Sequence, residues 1–398
     1  MIRLSRLWPV AATVFALALG GALLPVQGGA APLGPNYHAV CPTAQVGNAR
    51  CHAELRDSTS PSTSSAPSGY GPADLQSAYA LASATLGKGA TVAIVDAYDD
   101  PSAESDLGVY RAQFGLPSCT SATGCFRKIN QSGGTRYPKA NGGWAQEISL
   151  DLDMVSAICP NCHILLVEAA SNSYSNLGAA VNEAATFSPK AISNSYGGAE
   201  FSGETSYDHY YSHAGMAITV SSGDNGYGAQ YPATSPNVTA VGGTSLSRNS
   251  SSRGWGETAW SGAGSGCSAY EPQQSWQAAG VAAVCARRAV ADVSAIADPN
   301  TGVAVYDSYS YRGQTGWMVF GGTSVASPII ASVYALAGAP VTGSTYPSSP
   351  YSTLVPAGSL NDVTSGSNGS CGGTSLCRAG TGWDGPTGLG TPNGTGAF

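Results

Sequence analysis

A glycine turn delivers a serine to the start of an apolar helix in the last quarter of the chain. Residues 321–324 read Gly-Gly-Thr-Ser, and Pro328 and an apolar run over 329–336 follow. Proline is tolerated near a helix start, because it lacks the N–H that an interior helical hydrogen bond needs. A hydroxyl at such a start faces backbone N–H groups and the positive end of the helix dipole, which stabilise developing negative charge. Ser324 is therefore a candidate nucleophile.

A second Gly-Thr-Ser stretch occurs at residues 243–245. It follows an apolar segment and leads into the polar stretch 247–252, with no buried helix behind it. We predict a strand-end turn there. Ser324 is accordingly preferred over Ser245.

A serine hydroxyl is a weak nucleophile until a neighbouring base accepts its proton, and histidine is the usual base. Two histidines lie in an N-terminal region that we expect to be dispensable, one begins a buried strand, and two share a helix face at i, i+4: His38, His52, His163, His209 and His213. The last pair has a spacing that suits a metal, but no acidic or cysteine ligands stand nearby, so a solvated helix face is the better interpretation. A serine–histidine–aspartate hydrolase that uses His209 or His213 is the weaker alternative.

Two carboxylic acids stand on the predicted helix 144–158. Glu147 and Asp151 are four residues apart, so both project from one helical face. Two adjacent like charges are unfavourable, so the pair should share one proton. Such a pair can accept the serine proton through Glu147, while Asp151 orients Glu147. The alternative is an exposed acidic helix face. The apolar residues around the pair disfavour it, because they leave little surface for water to solvate.

A third acid follows the predicted strand 216–220 in the sequence Ser-Gly-Asp224. If Asp224 is protonated, it can donate a hydrogen bond to an oxyanion together with the backbone N–H of Ser324. The alternative is an aspartate that only stabilises its own turn, which is common in Gly/Asn loops. Taken alone, Asp224 fits the turn better.

Short apolar strands alternate with helices through the middle of the chain, which predicts an α/β fold. The predicted strands are 91–95, 163–167, 191–195, 216–220 and 238–241, and the predicted helices are 102–114, 144–158, 177–187 and 207–213. This order indicates a parallel sheet with helices on both faces. Functional groups of such folds gather beyond the carboxyl ends of the strands. Asp96, the turn at 195–198 and Asp224 all stand at such ends.

These motifs together resemble those of the sedolisin family, the serine-carboxyl peptidases with a subtilisin-like fold. Glu147-x-x-x-Asp151, Ser-Gly-Asp224 and Gly-Thr-Ser324-x-x-x-Pro328 occur in the family's order. The Gly-His-Gly-Thr stretch that carries the base of subtilisin-type enzymes does not occur in the sequence. The resemblance implies that Ser324 is the nucleophile and Asp224 the oxyanion acid. It also implies that Glu147 is the general base and Asp151 its helper.

The resemblance extends from about residue 70 to residue 398. The segment Ser195-Tyr196-Gly197 is similar to the strand that pairs with the substrate backbone, which implies that an extended protein or peptide substrate adds as a β-strand. Asp96 stands where such folds place another acid, and its role stays open.

The C-terminal loops are similar to the calcium site of the same family. The implied ligands of one structural Ca²⁺ are two carboxylates and three backbone carbonyls, from Asp362, Val363, Gly380, Gly382 and Asp384. Such hard oxygen donors suit calcium. The alternative is a turn-rich tail with two ordinary aspartates.

The N-terminal residues predict export. Arg3 and Arg6 precede an apolar stretch over 7–26 and small residues at 28–31, so residues 1–30 read as a signal peptide. Residues 31–70 are rich in Ser, Pro and Gly and are expected to be a short pro-region or linker, although the family usually carries a large folded propeptide. Residues 71–398 are expected to be a single peptidase domain that includes the C-terminal calcium-site loops. No second stretch predicts a membrane span, so we expect no stable membrane association.

The composition agrees with an extracellular protein that does not bind nucleic acid. The formal net charge of −7 argues against a polyanionic partner. Ten cysteines fall into local pairs, which predicts the disulfides Cys41/Cys51, Cys119/Cys125, Cys159/Cys162, Cys267/Cys285 and Cys371/Cys377. A zinc or redox role for the Cys-x-x-Cys pair is disfavoured, because no second such motif and no thioredoxin-like context accompany it.

The leading prediction is therefore a secreted, monomeric endopeptidase. It would hydrolyse peptide bonds through an acyl-enzyme on Ser324, with a maximum on the acid side of neutrality because its base is a carboxylate. The alternative is a non-catalytic secreted binding protein on the same scaffold.

Overall fold

Nineteen strands and six α-helices make up the part of the chain that the computed structural model describes, which is residues 36–57, 67–277 and 279–398. The strands are β1 (Tyr37–Ala39), β2 (Arg50–Cys51), β3 (Glu54–Arg56), β4 (Thr91–Ala97), β5 (Phe126–Asn130), β6 (His163–Ala169), β7 (Ala191–Asn194), β8 (Tyr196–Ala199), β9 (Ala217–Ser221), β10 (Gln230–Tyr231), β11 (Thr239–Arg248), β12 (Trp255–Ala259), β13 (Gly266–Pro272), β14 (Arg287–Val290), β15 (Val293–Ile296), β16 (Val303–Tyr311), β17 (Gln314–Gly321), β18 (Leu360–Asn361) and β19 (Thr391–Pro392). The helices are α1 (Pro72–Ala78), α2 (Ala103–Gln113), α3 (Gly142–Ile158), α4 (Tyr174–Ala185), α5 (Ala279–Val284) and α6 (Thr323–Ala337).

The predicted signal peptide and residues 58–66 lie outside the described residues. Across the ranges that are described, no helix is long and apolar enough to cross a membrane.

The core is an eight-stranded, mostly parallel sheet, which confirms the predicted α/β class. Its strand order is β12-β11-β9-β7-β4-β6-β5, and β15 also pairs with β11. The pairing of β11 with β12 is antiparallel, and the other pairings in this sheet are parallel. Val92 to Val95 of the central strand are all fully buried, so both faces of the sheet are covered.

Helices α3 and α6 pack side by side and against the central strands. Helix α3 begins at an N-cap, because the Asn141 side chain accepts hydrogen bonds from the N–H groups of Gly143 and Trp144. The side chains of α3 are buried almost throughout, and so are those of α6 as far as Leu336. This contact between two buried helices brings Glu147 and Ser324 to one place.

Pro328 lies further into its helix than the sequence predicted. Helix α6 begins at Thr323, so the proline is its sixth residue and leaves the Ser324 carbonyl without an N–H partner four residues ahead. The Ser195 hydroxyl lies 3.4 Å from that carbonyl oxygen, but it is closer to Asp151, at 2.8 Å. A side chain from the neighbouring strand segment thus contacts the carbonyl group that the proline leaves without its helical partner.

Two local predictions were wrong. Residues 243–245 are not a strand-end turn but the middle of β11, because this strand is paired on both sides by β12 and β15. The predicted helix at 207–213 is a 3₁₀ helix at Glu204–Tyr211.

The N-terminal segment, defined here as residues 36–57, forms strands where the sequence led us to expect a pro-region or linker. Strand β2 pairs with β8, and β3 pairs with both β1 and β17. All ten cysteines form the predicted local disulfides, including Cys41–Cys51 within this segment. The segment is therefore part of the folded body.

Candidate active site

Ser324 lies in the first turn of α6, behind a backbone conformation that requires glycine. Gly322 is the N-cap residue and has a φ of 91°, which disfavours any side chain. The Ser324 side chain is fully buried, and its hydroxyl donates a 3.3 Å hydrogen bond to the carbonyl oxygen of Ser195.

Glu147 and Asp151 lie on the side of α3 that faces α6, and both are completely buried. Burial raises the pKa of Glu147 well above its usual range, and the nearby Asp96 raises it further, while a hydrogen bond with the Ser324 side chain opposes the rise. Burial also raises the pKa of Asp151 well above its usual range, and the charges of Asp96 and Glu147 add to the effect. Each of these acids therefore holds its proton more strongly than an exposed carboxyl group would, and the interpretation as an exposed acidic face was wrong.

Ser195 orients Asp151. The Ser195 hydroxyl lies 2.8 and 2.9 Å from the two carboxylate oxygens of Asp151 and donates to this carboxyl group. The same hydroxyl reaches the Ser324 carbonyl oxygen, so it joins the acid helix to the serine helix.

Asp96, at the end of β4, is the third acid of this cluster. It is fully buried, neither of its carboxyl oxygens has a hydrogen-bond partner among the described residues, and burial raises its pKa to about 8. Asp96 is therefore largely neutral in acid solution and raises the proton affinity of Glu147 and Asp151 when it ionises.

Asp224 reaches across to the start of the serine helix instead of bonding within its own turn. Its Oδ1 accepts hydrogen bonds from the N–H of Thr323 at 2.8 Å and from the Thr323 hydroxyl at 2.7 Å. Its Oδ2 is buried and has no partner among the described residues. Burial raises the pKa of Asp224 to about 6, although Arg50 and Thr323 oppose the rise. Below that pH the free oxygen carries a proton that can be donated.

The N-terminal segment pairs with the strand that the sequence assigned to substrate binding. Arg50 lies opposite Gly197 and Cys51 opposite Tyr196 in an antiparallel pairing of β2 with β8. The N–H of His52 donates to the Ser195 carbonyl at 3.2 Å.

The same segment also contacts Glu147, and its His52 ring is buried against Ser221 and Gln230. The N–H of Ala53 donates to Glu147 Oε2 at 2.8 Å. The buried His52 ring lies 2.7 Å from Ser221 Oγ and 3.0 Å from Gln230 Oε1. Sequence reasoning missed these contacts, since residues 31–70 lack helical or strand periodicity. The Cys41/Cys51 pair was the one signal that this stretch is held in a fixed place.

The two histidines of the weaker alternative lie outside this cluster. His209 Nδ1 lies 2.9 Å from the Ser206 carbonyl oxygen, and His213 Nε2 lies 3.0 Å from the Tyr210 carbonyl oxygen. Both contacts belong to the 3₁₀ helix and the residues after it. Neither histidine takes the place of the acid pair beside Ser324.

The predicted calcium ligands lie in adjoining C-terminal loops. The N–H of Gly380 donates to Asp384 at 3.1 Å, and the N–H of Gly382 donates to Asp362 at 2.9 Å. Burial raises the pKa of Asp384 to about 7, and Asp362 contributes to the rise through its charge. A divalent cation would relieve this repulsion, so two carboxylates and the carbonyls around them fit a hard cation. In the described part of the chain, no group of three or more His, Cys, Asp or Glu side chains could hold a metal. The proposed set contains two such side chains, and its other three ligands are backbone carbonyls.

Comparisons with known proteins point to the same class of enzyme. A model of the subtilase family matches residues 133–347, which is more than half of the chain. Kumamolisin from Bacillus sp. (strain MN-32) is 30% identical over 368 residues, which cover 84% of this chain and 64% of kumamolisin. Sedolisin from Pseudomonas sp. (strain 101) is 38% identical over 204 residues, which cover 44% of this chain and 33% of that protein. The chain thus spans less than two thirds of the length of either relative.

Solved structures give the same result. Pseudomonas sedolisin, described as a serine-carboxyl proteinase complexed with two molecules of pseudo-iodotyrostatin, superposes with a TM-score of 0.67 and 27% identity over 82% of this chain and 96% of its own. Sphericase superposes with a TM-score of 0.51 at 18% identity over 83% of this chain and 99% of its own, a likeness of fold alone. The chain therefore belongs to the subtilase family, and within it to the sedolisin family of serine-carboxyl peptidases.

Proposed function

We propose that this protein is a serine-carboxyl endopeptidase that works in acid solution through Ser324, Glu147 and Asp151. The observation that carries the proposal is the burial of Ser324 together with Glu147 and Asp151, where the Ser324 side chain lowers the pKa of Glu147 and Ser195 bonds to Asp151. Proteins and peptides are the proposed substrates, and they would add as a strand along Ser195–Gly197.

The chemistry follows from the positions of four side chains. Glu147 accepts the proton of Ser324 as the hydroxyl attacks the scissile carbonyl carbon, and Asp151 holds the remaining proton of the pair. Negative charge develops on the carbonyl oxygen, and protonated Asp224 donates a hydrogen bond to it. Glu147 then passes the proton to the leaving nitrogen. Water repeats the sequence on the resulting ester and restores the serine.

The activity should depend on pH because Asp224 and the pair Glu147 and Asp151 are titratable. Asp224 is a donor only while it is protonated, and its pKa is about 6. Activity should therefore be greatest below pH 6 and fall as pH rises through that value.

We also propose that the protein is secreted as a monomer and carries one structural Ca²⁺. The cation would be held by the carboxylates of Asp362 and Asp384 and by backbone carbonyls of Val363, Gly380 and Gly382. When bound, it would neutralise charge where the exposed Asp362 repels the buried Asp384. It would take no part in the hydrolysis.

The direct test is peptide hydrolysis at pH 4 by the wild type and two variants. Ser324→Ala and Glu147→Gln should each lose at least about 1000-fold in kcat with unchanged thermal unfolding. Ser245→Ala serves as the matched control and should keep wild-type activity. Full turnover by Ser324→Ala, or no turnover by the wild type, would contradict the proposal, and the latter would favour a binding protein on this scaffold.

A further inference from the structure

Asp224 lies on a loop whose place is set by hydrogen bonds to a second loop. We call residues 223–228, which follow β9, the oxyanion loop, and residues 260–265 the β12–β13 loop. The first contains three glycines and the second contains two, so neither has much conformational order of its own. Three backbone hydrogen bonds, of 2.7, 2.8 and 2.7 Å, connect them: Gly264 N–H to Gly223 O, Gly226 N–H to Gly262 O and Gly228 N–H to Ser265 O. The position of Asp224 therefore depends on the β12–β13 loop.

The buried residue Asn368 is bonded to both loops. Its side-chain Nδ2 donates to the Ala263 carbonyl at 2.5 Å and to the Ser265 hydroxyl at 2.7 Å. Because a carbonyl oxygen can only accept, the amide must present its NH₂ group to Ala263. The backbone carbonyl of Asn368 accepts from the N–H of Tyr227 at 2.8 Å. One residue thus holds the oxyanion loop with its backbone and the β12–β13 loop with its side chain.

The chain around Asn368 is itself fixed. The Asn368 N–H donates to the Cys377 carbonyl at 3.1 Å, and Cys377 forms a disulfide with Cys371. The Ser265 hydroxyl donates to the Leu376 carbonyl at 2.6 Å. Asn368 therefore ties both loops to a crosslinked part of the C-terminal region.

The oxyanion loop packs directly on the backbone of Asn368. Gly226 has a φ of 72°, which favours glycine, and a Cβ atom added to it would lie 2.5 Å from the Asn368 carbonyl oxygen. No side chain separates the two backbones at this point. A displacement of Asn368 should therefore be passed to the residues beside Asp224.

The proposed donor role of Asp224 tolerates little movement. Its Oδ1 accepts from the N–H and the hydroxyl of Thr323, and that hydroxyl accepts from the Gly223 N–H at 3.1 Å. An oxyanion donor must lie about 2.7–3.1 Å from the developing charge, and a misplacement of about 1 Å can cost about 100-fold in rate. A looser oxyanion loop should therefore weaken the donor, while Ser324 keeps its place on α6.

We propose that Asn368 is a positioning residue for the reaction, because its side-chain amide fixes the β12–β13 loop and thereby holds Asp224 beside the first turn of α6. The inference rests on the proposed function and adds a residue that acts on the oxyanion donor without touching the substrate. Loss of the amide should slow the chemical step more than it weakens substrate binding.

The first measurement is kcat and KM for a fluorogenic peptide at pH 4. Asn368→Ala removes both side-chain hydrogen bonds and should lower kcat by about 10- to 100-fold, with KM changed by less than about 3-fold. Asn393→Ala is the matched control, because Asn393 Nδ2 also donates to a backbone carbonyl in the C-terminal loops, that of Gly358, at 2.7 Å. The control should keep the wild-type kcat. An unchanged kcat in Asn368→Ala, or an equal loss in both variants, would overturn the inference.

The second measurement asks whether Asn368 acts through Asp224. In an Asp224→Ala background, Asn368→Ala should lower kcat by less than about 3-fold further, because residues that act as a unit have non-additive effects. A loss as large as in the wild-type background would mean that the amide supports the fold in general, and the inference would fail.

A conservative variant keeps the test open if Asn368→Ala does not fold. Asn368→Asp has nearly the same shape, and its carboxyl group can donate one hydrogen bond to Ala263 while protonated and none when ionised. The ratio of its kcat to the wild-type kcat should therefore fall between about pH 3 and about pH 7. A ratio that is independent of pH would contradict the role of the amide.

The wild type separates failure of this inference from failure of the proposed function. Peptide hydrolysis that is lost in Ser324→Ala but unaffected by Asn368→Ala overturns the inference and leaves the proposed function standing. Absence of all hydrolysis by the wild type overturns both.

Discussion

Exchange of Asp224 for asparagine tests the proposed oxyanion donor independently of the other acids of the site. Two hydrogen bonds from Thr323 hold Oδ1, at 2.8 and 2.7 Å. An asparagine should keep these bonds with its carbonyl oxygen and therefore place its NH₂ group where Oδ2 now lies. Aspartic acid donates from that position only when protonated, whereas the amide donates at every pH.

The size of the effect follows from the pKa of Asp224, which is about 6. Above that value the protonated fraction falls about ten-fold per pH unit, so at pH 8 the wild type should have lost about 100-fold through this group. That loss agrees with the roughly 100- to 1000-fold effect of removing one oxyanion donor. The ionisations of Asp151 and Asp96 affect both proteins and cancel in their ratio, and the Asp224 charge is the smallest of the causes that shift the pKa of Glu147.

The assay is kcat/KM for a fluorogenic peptide from pH 3 to pH 9, expressed as the ratio of Asp224→Asn to wild type. The ratio should be constant below about pH 5 and rise by about 100-fold between pH 6 and pH 8. Asp224→Ala, with thermal unfolding measured in parallel, should lose about 100-fold or more at pH 4. A ratio that does not change with pH would refute the role assigned to Asp224.

Further predictions concern stability. Asp96 and Glu147 have a raised pKa in the folded state, so the stability they contribute is complete below about pH 4 and is lost as pH rises through their folded pKa values. The midpoint of thermal unfolding should therefore be higher at pH 5 than at pH 8. The opposite order would contradict the assigned pKa shifts. Without a cation, burial also raises the pKa of Asp384, to about 7 in the folded state. Because Ca²⁺ binds the ionised carboxylate, added Ca²⁺ should raise the unfolding midpoint more at pH 7 than at pH 4. An equal midpoint with calcium and with chelator would argue against the site. Ser195→Ala removes the donor to Asp151 and should cost about 1–3 kcal/mol in the free energy of unfolding, measured by denaturant titration. A loss below about 0.5 kcal/mol would mean that this hydrogen bond does not stabilise the fold.

The elements that position the site could be predicted because their sequences carry strong periodicity. Continuous apolar runs marked the buried parallel strands, and the alternation with helices identified the sheet. Glu147 and Asp151 were placed on one helix face by their spacing alone. Ser324 was singled out by a glycine turn followed by an apolar helix.

The missed features depend on contacts between residues that are distant in sequence. Nothing local in Ala53 predicts a hydrogen bond to a glutamate on another helix, and the short strands β2 and β3 exist only because β8 and β17 offer paired edges. Asp224 looked like a turn aspartate for the same reason, since its partner Thr323 lies about 100 residues away. The stretch at 243–245 resembles a turn in sequence, because the pairing of β11 with β12 and β15 depends on residues far along the chain.

The central claim is that a carboxyl pair, without histidine, makes Ser324 a nucleophile in acid solution. The most direct measurement is mass mapping of the acyl-enzyme trapped by rapid acid quench during turnover of an activated ester at pH 4. An acyl group is expected on the peptide that contains Ser324. It should be absent in Glu147→Gln and retained in a His209→Ala/His213→Ala double variant. Turnover without an acyl group on Ser324, or an acyl group that persists in Glu147→Gln and disappears in the histidine variant, would contradict the central claim.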